Sequence, residues 1–113
     1  MMLEVKAIIR TERLRAVVSA LHELPNMPGV TVSTVTGFGR RASDASGQYA
    51  DAEFTKVEAV IEEKAAQTVI DTICRHARTG GAGDGKIFVS PALQAIQIRD
   101  GANLDGTASK EEA

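Results

Sequence analysis

The chain has 113 residues, 43% hydrophobic and 25% charged, with a formal net charge of -2 and a single cysteine. That length suits one domain with a modest core, and the apolar content excludes wholesale disorder. The faintly acidic balance excludes a non-specific binder of nucleic acid or of an anionic membrane surface, and no apolar run reaches the ~18 residues that span a bilayer.

Taken in chain order, residues 3–10 alternate: Leu3, Val5, Ala7 and Ile9 share one face, and Glu4, Lys6 and Arg10 the other, with Ile8 the apolar exception. This predicts a strand. From 11 to 24 the period becomes helical through Leu14, Val17, Val18 and Leu21, with Thr11 placed as the N-cap and Pro25 as the stop. Asn26, Pro28 and Gly29 supply turn chemistry, and the β-branched run at 30–38 predicts a second strand. Residues 40–53 are small and polar with neither period, so a mobile loop is expected. A third strand follows at 54–61, where Val57, Ala59 and Ile61 oppose Lys56 and Glu58.

A second helix carries the stripe Ala66, Val69, Ile70, Ile73, Cys74 and Ala77, with Arg75, His76 and Arg78 near the negative end of its dipole and Gly80 expected as its C-terminal cap. Two short strands are predicted at 86–89 and 96–99, broken at Ser90 and Pro91. A single domain over 1–101 and a disordered tail at 102–113 are expected. The order strand, helix, strand, strand, helix, strand is the ferredoxin-like β-α-β-β-α-β arrangement of the α+β class, an antiparallel sheet with two helices on one face. The uncovered sheet face implies an oligomer.

Chemistry concentrates at 79–89, where Gly80, Gly81, Gly83 and Gly85 precede Lys86. Glycine permits positive φ and close backbone approach, so successive amides can cradle an anion with Lys86 as a point charge. The same residues also suit a plain helix-to-strand turn with a solvated lysine. The spacing is not that of a Walker A loop, and no Ser or Thr follows the lysine to hold magnesium. Gly37, Phe38, Gly39, Arg40 and Arg41 form a second candidate, since two arginines offer forked phosphate donors, and Arg99 adds another cation. His22 and His76 have no ligand partner at helical spacing, Cys74 belongs to an apolar stripe, and Glu62 and Glu63 lack a nucleophile or base to work with. No enzyme is expected, and no metal site.

The run Thr79, three free positions, then Gly83, Asp84, Gly85, Lys86, Ile87, Phe88, Val89 is similar to the C-terminal signature of the nitrogen-regulatory P-II signal-transduction family. The resemblance extends through 35–40, 72–80 and 96–101. It implies a cytoplasmic homotrimer of ferredoxin-like subunits with an adenine nucleotide in each of three clefts between neighbours. Gly83, Asp84, Gly85 and Lys86 would bind phosphates, with Gly37, Phe38, Gly39, Arg40 and Arg99 contributing, and Ile8, Thr31 and Val60 would hold the adenine. The loop at about 41–53 would be the effector loop that reaches a partner transporter or enzyme.

Two departures refine this expectation. Arg41 stands where members that bind 2-oxoglutarate with magnesium and ATP have a glutamine, and an arginine offers no lone pair to a metal, which argues against magnesium and 2-oxoglutarate. Gln97 replaces an arginine that helps hold the outer phosphates, which favours ADP or AMP over ATP. Both departures resemble the divergent branch associated with carboxysomes, bicarbonate transporters and metal efflux, with Arg40 and Arg41 as an anion site for bicarbonate. Tyr49 lies in the loop without the family's usual context for uridylylation. The alternatives are a slow nucleotide hydrolase on the same site and a metal-tolerance protein of the CutA type.

Overall fold

A computed structural model describes residues 1–40 and 49–104, with backbone alone at 39, 40, 49 and 50. Six elements follow the expected order: β1 Met2–Ile9, α1 Leu14–His22, β2 Thr31–Arg40, β3 Tyr49–Glu62, α2 Ala66–Ala77 and β4 Gly85–Ala92. All sheet pairings are antiparallel, in the order β2-β3-β1-β4, which is the ferredoxin-like sheet.

The alternation of β1 decides which face is core. Val5, Ala7 and Ile9 are buried together with Val57 and Ile61 of β3, Val17 and Leu21 of α1, and Val69, Ile73 and Ala77 of α2. Both helices therefore cover one face, because each offers a single apolar stripe and one sheet face is enough to bury it. Arg13 fastens them by donating from Nε to the carbonyl of His76 at 2.8 Å, which satisfies a carbonyl in the last turn of α2. The opposite face carries Glu4, Lys6 and Ile8, each half-buried, on the middle strand, and no helix among the described residues covers it.

Several local expectations are corrected. Thr11 is not the N-cap: the chain enters α1 through a 3-10 turn at Thr11–Arg13, preceded by extended Arg10, with no side-chain cap bond. The Thr11 hydroxyl instead accepts a hydrogen bond from Thr55 Oγ1 at 2.9 Å. Gly80 does not cap α2; Arg78 does, in an extended conformation, and Gly80 takes φ +93° two residues later. The predicted loop is shorter than 40–53, because 49–53 pairs with 36–40 and extends the β2–β3 ribbon. Residues 41–48, including Arg41, lie outside the described residues.

Ser90 and Pro91 do not break β4, since Pro91 pairs opposite Leu3 on an edge strand, where one side of the backbone needs no ladder donor. The predicted strand at 96–99 is absent: Ile96 makes an isolated bridge to Asn103 across a turn in which Gly101 N–H donates to Gln97 O at 2.8 Å. Residues 102–104 are thus held in a small hairpin rather than a disordered tail, and the remainder of that expectation lies outside the described residues.

Candidate functional site

The turn between α2 and β4 is organised around one carboxylate. Asp84 Oδ2 accepts the backbone N–H groups of Thr79 at 2.8 Å and Gly80 at 2.9 Å. Its Oδ1 accepts the Thr79 hydroxyl and, at 2.9 Å, Arg10 Nε. Gly81 N–H donates to Thr79 Oγ1 at 3.1 Å, and Asp84 N–H reaches back to Gly81 O at 3.3 Å to close the turn. The Thr79 hydroxyl first, then the Arg10 guanidinium and the Thr79 and Gly80 amides, all favour ionised Asp84. They hold it well below the usual carboxylate range despite partial desolvation.

At Thr79 and Gly80 the amides of the turn converge on the protein's own carboxylate. The amides of Ala82 and Gly83 have no acceptor among the described residues, and both residues are exposed. Glycine is obligatory at Gly85, where φ is +100° and a Cβ would stand 1.8 Å from Ile8 O. β4 begins by passing directly against β1.

Strand register assembles the rest. Ile8 pairs with Lys56 on one side and Lys86 on the other, and Lys56 pairs with Ser33. Directly opposed residues share a face, so Lys56, Ile8 and Lys86 form a row across the open side of the sheet. Lys56 has Glu58 within 3.7 Å, whereas no carboxylate lies within ion-pair distance of Lys86 among the described residues. Ile8, Asp84, Gly85 and Lys86 also border a cavity of about 250 Å³ whose other walls, among them Ile9, Ile73, Cys74 and Ala77, belong to the helix-covered side of the sheet.

The remaining sequence candidates sit elsewhere in the chain. Thr31 and Val60 share a different cavity, about 430 Å³, with Pro28, Gly29 and Glu58. Val60 pairs with Glu4, four residues from the position of Ile8, or about 13 Å at roughly 3.3 Å per strand residue. Gly37, Phe38, Gly39 and Arg40 lie further out on the ribbon, paired with Ala52, Asp51, Ala50 and Tyr49; Phe38 is largely exposed. The Arg99 guanidinium rests against the side-chain amide of Gln97; with that amide turned so that its oxygen faces the guanidinium, Nε lies 3.2 Å from the oxygen. One chain thus brings the adenine candidate Ile8 beside the phosphate candidates Asp84, Gly85 and Lys86, with Gly83 in the same turn, and holds the other two adenine candidates, Thr31 and Val60, apart from it.

The residue that sequence reasoning missed is Arg10, read only as the polar end of a strand. Its signal is the register: Ile9 opposite Gly85 in an antiparallel pair brings the next residue of β1 beside the residue before β4, which is Asp84. No group of three or more His, Cys, Asp or Glu suited to a metal ion occurs among the described residues, and no helix there is long and apolar enough to cross a membrane.

The family model described as nitrogen regulatory protein P-II matches residues 2–102. The chain is 43% identical over 107 residues to nitrogen regulatory protein P-II of Microchaete diplosiphon, spanning 88% of this chain and 94% of that one. It is 39% identical over 105 residues to the nitrogen regulatory protein P-II homolog of Arabidopsis thaliana, spanning 87% of this chain and 53% of that longer protein. The crystal structure of Arabidopsis thaliana PII bound to citrate is similar with a TM-score of 0.76 and 39% identity, covering 90% of this chain and 87% of that one.

Proposed function

The chain belongs to the nitrogen regulatory protein P-II family of signal-transduction proteins, and from that premise we propose that it binds an adenine nucleotide and regulates a partner transporter or enzyme through the segment at about 41–53. The observation that carries the reading is the 79–86 turn: Asp84 and its donors fix the backbone, the amides of Ala82 and Gly83 are left for a ligand, and Lys86 stands at its exit without a carboxylate partner among the described residues. Fixed amides and a nearby cation suit a phosphate. The Arabidopsis relative's structure is bound to citrate, likewise a multiply charged oxyanion.

Separation of Thr31 and Val60 from Ile8 and Lys86 supports a cleft completed by a second copy, and with it the homotrimer. Gln97 supports ADP or AMP over ATP, because it offers an amide where a further cation would bind an outer phosphate. Arg40 and Arg41 support bicarbonate as a co-ligand. The relatives are regulators rather than enzymes, and this chain is read the same way. A thermal-shift and calorimetry screen of AMP, ADP and ATP, each with and without magnesium, 2-oxoglutarate and bicarbonate, tests these points, since a ligand that binds only the folded state raises the melting temperature. ADP and AMP are expected to stabilise by several degrees. No shift with any adenine nucleotide overturns the reading, and ATP with magnesium binding more than about tenfold tighter than ADP overturns the phosphate preference alone.

A further inference from the structure

We propose that Arg10 is the positioning residue of the phosphate turn: its guanidinium fills the concave side of residues 81–84 and, through Asp84, fixes the shape in which that turn meets a phosphate. The inference rests on the reading of the turn as a phosphate site. A Cβ built on Gly81 would lie 2.9 Å from Arg10 Nη2, and one built on Gly83 would lie 3.2 Å from the same nitrogen and 3.6 Å from Cζ. The backbone therefore wraps the guanidinium on the side where side chains would otherwise project. Between the two glycines, Ala82 is exposed.

The guanidinium is held from both ends. Its backbone is fixed by the Ile9–Gly85 pairing, its Nε donates to Asp84 Oδ1 at 2.9 Å, and its side chain is 30% exposed. Both η nitrogens are without an acceptor among the described residues. A planar cation beneath the turn does two things that a loop hydrogen bond does not. It gives the backbone a rigid surface to curve around, and it places positive charge behind the amides of Ala82 and Gly83, where an incoming phosphate gains from it. Lysine has the charge without the plane or the fork. On this account Gly81 and Gly83 are glycines because of Arg10, whereas Gly85 is one because of Ile8.

The test is calorimetric titration of ADP, and displacement of ADP by adenosine, on the full chain and its Arg10→Ala, Arg10→Lys, Gly83→Ala and Arg10→Ala/Gly83→Ala variants, under conditions where circular dichroism shows each to be folded. Arg10→Ala is expected to weaken ADP by about tenfold or more while leaving the adenosine inhibition constant within about twofold, and Arg10→Lys is expected to recover little. Gly83→Ala should weaken ADP in the unaltered background and add almost nothing once Arg10 is gone, because the clash partner is absent. Unchanged ADP affinity in Arg10→Ala, equal losses for ADP and adenosine, or additive effects of the two substitutions would overturn the role of Arg10. Failure of the unaltered protein to bind ADP would instead overturn the nucleotide reading. The melting temperatures of the cycle formed by the unaltered chain, Arg10→Ala, Gly83→Ala and the double substitution then decide whether Arg10 seats the turn, non-additivity supporting it and additivity refuting it.

Discussion

Gly80 and Gly85 both have positive φ, +93° and +100°, yet only at Gly85 would a Cβ meet the backbone, 1.8 Å from Ile8 O, while Gly80 has nothing within 4 Å. Gly80→Ala therefore carries the conformational penalty alone, about 1–2 kcal/mol, and Gly85→Ala adds displacement of β4 from β1, for more than about 3 kcal/mol in total. Urea unfolding midpoints of the two variants check the order. Asp84 supplies a pH-dependent counterpart. Its folded-state pKa is depressed, so its contribution is fully present above the unfolded carboxylate value of about 3.9 and is lost as pH falls toward the folded value. The melting-temperature gap between the native chain and Asp84→Asn should stay constant from pH 7 to about 5 and narrow only below about pH 4; a gap that closes between pH 7 and 5 would contradict the linkage. Asp84 and Lys86 were legible as candidate site residues from composition and motif. That Asp84 serves the turn rather than facing a ligand depends on Arg10, 74 positions away, and only the register reveals that neighbour.

Elements whose period is set by burial were read correctly: β1 by its alternation, and α1 and α2 by stripes that turn out to be core. Misreadings fall where the single chain gives a pattern nothing to act on, or where topology relieves a local rule. Residues 49–53 contain little apolar alternation but pair because β2 runs alongside them, and Pro91 is accepted because β4 is an edge. Thr11 looked like a cap because helix starts favour a hydroxyl, but β3 delivers Thr55, only 3% exposed, against it. This junction predicts an asymmetry. Thr11→Ala orphans a buried hydroxyl and should cost about 1–3 kcal/mol, whereas Thr55→Val leaves only the exposed Thr11 hydroxyl, which water can satisfy, and should cost less than about 1 kcal/mol. Denaturant unfolding of both variants decides it; equal costs would mean that the Thr55–Thr11 bond does not join the helix entrance to the sheet.

Across the whole molecule the exposed large hydrophobics are unevenly placed. Phe88, Val89, Leu93, Ile96 and Ile98 lie along β4 and the segment after it, with Leu93 96% and Ile98 99% exposed. Scattered apolar residues need no explanation, but several following one sheet edge and the segment after it suit an interface. The segment at 96–99 shows why its strand was predicted and is missing: Ile96 and Ile98 alternate with Gln97 and Arg99 as a half-buried strand would, yet among the described residues its only strand-like pairing is the isolated Ile96–Asn103 bridge. In a symmetric trimer a neighbouring subunit can supply both a strand edge and an apolar face, and the same contact would bring one subunit's Thr31 and Val60 toward another's Lys86. The unaltered protein is therefore expected to sediment at three times its 12.0 kDa chain mass. Leu93→Asp/Ile98→Asp should shift it toward the single-chain mass, because burying two carboxylates without partners costs several kcal/mol per interface. The substituted side chains are exposed in the isolated chain, so its far-ultraviolet circular dichroism should be preserved while adenine-nucleotide binding falls with the trimer. A monomeric unaltered protein, or a doubly substituted one that remains trimeric, would place the interface elsewhere.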